Sequence, residues 1–162
     1  MRYTTMASPL GDLMLAGDDG VLRNLWMLGG RHPVVPRADW VRDAGAFAEP
    51  VRQLAEYFAG ERTAFELELD LGGTPFQQRV WNALREIPYG ETRSYGEQAK
   101  RIGSPDAVRA VGHANGQNPI AIVVPCHRVI GANGSLTGFG GGLENKRRLL
   151  DLEAGVLPLA VL

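Results

Sequence analysis

The sequence predicts a mixed α/β (α+β) protein: a small N-terminal α/β unit followed by a mostly helical C-terminal unit. Three observations carry that expectation. Short apolar segments separated by turn residues fill the first third, a period-two segment closes the front half, and from Thr74 onward apolar residues recur at helical spacing. The change of character falls at Leu71-Gly72-Gly73, so the expected division is residues 1–73 and 74–162. A chain of 162 residues can bury a core, but it has room for at most one compact domain and a small companion.

Tyr3 to Met6 and Leu13 to Ala16 flank the turn signal Ser8-Pro9-Leu10-Gly11-Asp12, and Asp18-Asp19-Gly20 leads into Val21 to Met27. An antiparallel meander is expected there. Gly29 to Gly45 is irregular and poor in apolar residues apart from Val34, Val35, Trp40 and Val41, which reads as a surface excursion. Val51, Leu54, Ala55 and Phe58 recur at helical spacing before Gly60, predicting a helix of about ten residues. Phe65 to Leu71 alternates apolar and acidic residues, the pattern of a half-buried strand. In the back half Thr74 caps and Pro75 starts a helix whose stripe is Phe76, Val80, Trp81, Ala83, Leu84 and Ile87. A second helix runs from about Tyr95 to Ile102. Ser104 is the expected cap and Pro105 the expected start of a third, ending at Asn115-Gly116; the pair has the look of a helix-turn-helix. Ile120 to Val124, bounded by Pro119 and Pro125, reads as a short buried strand, and a last helix spans about Leu143 to Ala154.

Composition removes several function classes. Cys126 is the single cysteine, so the chain forms no internal disulfide and holds no multi-cysteine zinc site. No apolar run approaches the roughly 18 residues of a membrane span, and Met1-Arg2-Tyr3-Thr4 lacks the apolar core of a signal peptide, so the expected compartment is the cytoplasm, with no membrane partner. The net charge of -1 conceals a split. Residues 1–75 carry 7 Lys/Arg against 11 Asp/Glu, whereas residues 76–162 carry 10 against 7. A basic back half is compatible with a polyanion partner, although most such charges are simply solvated.

Cys126 has more than one reading. A cysteine that follows five apolar residues is most often an inert core side chain. Against that, Pro125 makes the chain turn at Cys126, and His127 and Arg128 adjoin it, the kind of neighbours that lower a thiol pKa and enrich the nucleophilic thiolate. Six glycines between Gly131 and Gly142 would let a flat ligand approach the backbone closely. A cysteine hydrolase using His32 or His113 stays open on these residues alone, as does a module that binds without chemistry.

The segment Pro125-Cys126-His127-Arg128-Val129-Ile130 resembles the active-site signature of the O6-alkylguanine-DNA alkyltransferases, the methylated-DNA-protein-cysteine methyltransferases. The likeness extends over residues 74–154: Phe76 to Trp81, Ser94-Tyr95, Arg109-Ala110-Val111-Gly112, Asn118-Pro119 and the apolar run stand in the family's order and spacing. The front half matches only in layout, an RNase H-like unit, and the back half would carry a winged helix-turn-helix-like motif.

The resemblance implies direct-reversal DNA repair. Cys126 would accept the alkyl group of O6-alkylguanine, and also of O4-methylthymine, irreversibly and once. His127, through a water, and Glu153 would take the thiol proton, although Glu153 read by itself is a solvated helix residue. Tyr95 would donate its proton toward the guanine and meet the DNA backbone. Asn118 would be the hinge between the DNA-binding helix and the cysteine. The damaged base must leave the stack to be reached. Arg109 would fill the vacated space, with Ser104, Ala110 and Gly112 facing duplex DNA through its minor groove. Val129, Phe139 and Gly140 would form the guanine pocket; Phe139 stands where tyrosine is frequent and Gly140 where some members have serine. The chain lacks the cysteines that hold metal in the N-terminal part of some relatives, so no metal and no cofactor are expected. A monomer is implied, with cooperative assembly on DNA as a further option.

Overall fold

The computed structural model describes residues 1–29 and 35–156. Strands β1 (Arg2–Met6), β2 (Leu13–Asp18) and β3 (Val21–Met27) form the expected antiparallel meander. The β2–β3 turn places Asp19 and Gly20 at φ 50° and 79°, the left-handed pair that a two-residue hairpin loop demands. Leu13, Met14, Leu15 and Ala16 of β2 are all buried, so both faces of this central strand are covered. The region expected to be a surface excursion also contributes β4 (Val41–Arg42), which pairs parallel to β1 and completes the order β3-β2-β1-β4. Trp40, just before it, stacks on Trp26. Val34 lies outside the described residues.

Helix α1 (Ala48–Phe58) buries Gln53, Leu54, Tyr57 and Phe58, and its stripe passes through Tyr57 rather than through the exposed Ala55. Phe65 to Leu71 keeps its period-two burial but is not a strand. It makes a single bridge, Leu22↔Leu69, flanked by hydrogen bonds from Leu22 N to the Glu68 carbonyl and from Asp70 N to the Leu22 carbonyl. The Gln53 side chain captures the backbone N–H and C=O of Glu66, groups that a neighbouring strand would otherwise have used.

In the back half α2 (Pro75–Arg85) begins with a full capping box: Thr74 accepts from Gln77 N, and Gln77 accepts from Thr74 N. Trp81 Nε1 donates to the Ala114 carbonyl at 2.8 Å and ties α2 to the end of α4 (Val108–Gly116). Between them α3 (Tyr95–Arg101) is capped by Ser94. Helix α4 starts at Val108, not Pro105, and Ser104 is not its cap; Ser104 instead closes a turn by accepting from Ala107 N. A small parallel pair, β5 (Arg93–Ser94) with β6 (Val129–Ile130), joins the helical layer to the segment after Cys126. The sequence pattern is too short at both strands to announce it. The last helix, α5, spans Leu143–Glu153.

Ile120 to Val124 is not a strand either. The run is buried at every second residue but coils through turns, with Ile122 at φ 72° and Val124 N bonded to the Ile120 carbonyl. The flanking prolines supply no N–H to a ladder. Asn118 replaces it, donating to the Val124 carbonyl and accepting from Ile120 N.

Candidate active site

Cys126 opens a short 3-10 turn, Cys126–Arg128, directly after the coiled apolar run. Its thiol is nearly buried yet lies on the wall of a cavity of about 330 Å³. That cavity sits between the two halves: Trp26 and Met27 of β3 form one side, Asn115 and Asn118 the second, Phe139 and Gly140 the third. Its size lies at the lower end of the range for small-molecule sites. Burial pushes the Cys126 thiol up, while Asn118 and the charge of Lys146 pull it back. A resting thiol in this place needs a base.

A candidate base is the next residue in the chain and is fully buried. His127 Nε2 lies 2.8 Å from Glu153 Oε2, and a carboxylate only accepts, so Nε2 carries the proton and Nδ1 the lone pair. Nδ1 makes no hydrogen bond among the described residues. Burial lowers the His127 pKa against the pull of Glu153, so the imidazole rests neutral and able to accept. Burial would raise the Glu153 carboxyl, but the hydrogen bond from His127 and the Arg128 guanidinium outweigh it and bring it to about 2. Arg128 reaches Glu153 through Nε at 2.7 Å and Nη2 at 3.0 Å, and Nη1 donates to the Ile87 carbonyl. Glu153 is therefore a buried, ionised orienter of the histidine. The solvated residue that its local sequence indicates is not what forms.

The other expected site residues fall in three places. Asn118 is at the cavity and bridges the coiled run, and Asn115 Nδ2 donates to the Cys126 carbonyl at 3.3 Å. Phe139 is buried at the cavity wall and Gly140 lines it, whereas Val129 is fully buried away from the wall with its carbonyl taken by Lys146. Arg109 and Ala110 are exposed on α4, Gly112 is half-buried against the Tyr95 ring, and Ser104 is half-buried in the preceding turn. The Tyr95 hydroxyl meets Thr137, the residue before the Gly138 that lines the cavity.

Sequence reasoning missed Tyr57, Lys146, Arg128 as a partner of Glu153, and Asn115. Lys146 Nζ donates to the carbonyls of Val129 and Thr137 at 2.6 and 2.7 Å and so ties the segment that precedes the glycine-rich loop to the loop's middle. A signal for it was present. Lys146 and Glu153 stand seven apart on the same face of α5 as the buried Leu149 and Leu152, and charges on an apolar stripe call for buried partners.

Residues 75–155 match the family model described as "6-O-methylguanine DNA methyltransferase, DNA binding domain", and residues 1–71 match "6-O-methylguanine DNA methyltransferase, ribonuclease-like domain". A "Methylated-DNA--protein-cysteine methyltransferase" of Mycobacterium tuberculosis strain H37Rv is 61% identical over 158 residues, covering 98% of this chain and 95% of its own. One of the same name from Methanosarcina acetivorans is 54% identical over 153 residues, covering 94% and 98%. The structure described as "Crystal structure of Mycobacterium tuberculosis OGT in complex with DNA" superposes with a TM-score of 0.92 at 61% identity, over 98% of this chain and 96% of that one.

Proposed function

The chain belongs to the 6-O-methylguanine DNA methyltransferase family, whose chemistry is direct reversal of DNA alkylation, and from that premise we propose that Cys126 is the methyl acceptor and is spent after one transfer. One observation carries this reading: the thiol lies on the wall of a base-sized cavity beside a buried His127–Glu153 pair. His127 Nδ1 takes the thiol proton through a water. The sulfur attacks the methyl carbon, the carbon–O6 bond breaks with its electron pair going to O6, and a proton delivered from the Tyr95 hydroxyl leaves neutral guanine. The thioether has no leaving route, so the protein is consumed.

The base reaches Cys126 only after rotation out of the stack. Arg109, exposed on α4, fills the gap, and the small Ala110 together with Gly112, which has no side chain, allows α4 close approach along the minor groove. Ser104 lies on that surface, and Asn118 couples it to Cys126. Phe139 and Gly140 frame the base, which is guanine or an O4-methylated thymine, while Val129 lies behind the wall with its carbonyl held by Lys146. The protein acts as a cytoplasmic monomer able to assemble along DNA, with residues 1–73 and 74–162 as its two domains. Among the described residues no helix is long and apolar enough to cross a membrane.

The test is intact-mass spectrometry after incubation with a duplex carrying O6-methylguanine. One equivalent should add about 14 Da, methyl for hydrogen on a thiol, to the peptide containing Cys126. Several turnovers per protein, or transfer that survives Cys126→Ser, would overturn the reading.

A further inference from the structure

We infer that Tyr57, on α1 of the N-terminal unit, is a positioning residue for alkyl transfer: its hydroxyl shares Glu153 Oε2 with His127 and so sets how strongly that carboxylate pulls on the imidazole. This rests on the reading of His127 as the base. Tyr57 donates to Oε2 at 2.6 Å, His127 Nε2 lies at 2.8 Å from the same oxygen, and Arg128 Nη2 at 3.0 Å. The other oxygen, Oε1, takes Arg128 Nε. Three donors therefore divide the charge of one carboxylate oxygen, and one of them comes from 96 residues upstream.

Tyr57 is fully buried, and its ring is held by Phe58, Phe65 and Tyr89, with centroids at 5.4, 5.4 and 6.3 Å. The hydroxyl thus has a fixed direction. Burial and the adjacent carboxylate push its own pKa well above the ordinary tyrosine value, so the phenol stays a donor. Removing that donor leaves more negative charge on Oε2, which stabilises protonated His127. Strengthening the donor does the opposite. The other groups that face the pair are Arg128 on the 3-10 turn, Lys146 on α5 and Tyr89 after α2. All of these groups are retained in a Tyr57→Phe protein, which keeps the ring that packs on Tyr89. The arrangement also gives the N-terminal unit a part in the chemistry, since it supplies a hydrogen bond to the oxygen that orients the base.

The test is the pH profile of single-turnover methyl transfer from a methylated duplex, followed by intact mass. Tyr57→Phe keeps the ring and removes the donor, and the acid limb of its profile should move to higher pH by about half to one unit. Site-specific 3-fluorotyrosine at position 57, a stronger donor of nearly the same shape, should move the limb to lower pH. Opposite displacements identify a positioning role, because a merely structural role would change stability and leave the limb in place. Limbs that superpose on the wild type, or that move in the same direction, overturn the inference. If Tyr57→Phe does not fold, the fluorotyrosine protein decides alone by the sign of its shift. Failure of the wild type itself to methylate Cys126 would defeat the reading of the site, a result distinct from these.

Discussion

At the scale of single residues, Asn118 shows how one side chain replaces regular structure and acts on the Cys126 thiol as well. It donates to the Val124 carbonyl at 2.8 Å and accepts from Ile120 N at 3.0 Å, and it opposes the effect of burial on the Cys126 thiol. Asn118→Ala leaves those backbone groups unsatisfied and should cost about 1–3 kcal/mol of stability, read from urea unfolding. It should also move the midpoint of iodoacetamide modification of Cys126 to higher pH; an unchanged midpoint would show that Asn118 is only a structural tie. Cys126 and His127 stood out because they adjoin each other in sequence, whereas Asn118 entered only through the family resemblance, its local sequence reading equally well as a turn before Pro119. Glu153 was not locally legible either, because what makes it an orienter is Tyr57 from one side and Arg128 from the other, and only the tertiary fold brings these together. Tyr57 itself reads as an ordinary member of an apolar stripe, since its sequence context gives no sign of where the hydroxyl ends.

At the scale of elements, local signals located every α-helix among the described residues but set fewer of the extended segments. The cap at Thr74 and the start at Pro75 were visible as local residue types, and the structure adds Gln77 as the cap's reciprocal partner. The strand readings at Phe65 to Leu71 and Ile120 to Val124 failed for a common reason: burial alternates in both, but side-chain amides of Gln53 and Asn118 take backbone groups that a ladder requires. Helix α4 is the element on which the DNA-facing reading rests. Arg109 is exposed there and makes no side-chain hydrogen bond or ion pair among the described residues, so its removal should change stability by no more than about 0.5 kcal/mol. If it fills the gap left by a rotated base, Arg109→Ala should slow repair of duplex DNA by roughly ten-fold or more, since unstacking costs a few kcal/mol. Reaction with free O6-benzylguanine, which needs no rotation, should stay near the wild-type rate. Equal losses on the two substrates would assign Arg109 a role within the fold instead.

At the scale of the whole molecule, the buried cluster at the junction makes stability depend on acid. The Glu153 carboxyl is held at about 2 against an ordinary 4.5, so its contribution is complete above 4.5, declines as pH falls, and is gone below about 2. A shift of that size corresponds to something on the order of 3 kcal/mol, and the side chain is buried enough that solvent screening takes little from it. His127 acts with the same sign: its folded pKa is lowered, so below the ordinary 6.5 the unfolded chain binds the proton more readily and stability again falls. Glu153 also bonds to the N-terminal unit, with Tyr57 joining α1 to α5, so the loss should reach both units in one transition. Urea midpoints measured between pH 7 and pH 3 should therefore drop steeply for the wild type, with sheet and helix signals melting together. Glu153→Gln should start lower at pH 7, because Arg128 then keeps a buried charge without its counter-ion, and should show a shallower decline toward pH 3. A decline as steep as the wild type's would place the acid sensitivity in the exposed carboxylates of the front half.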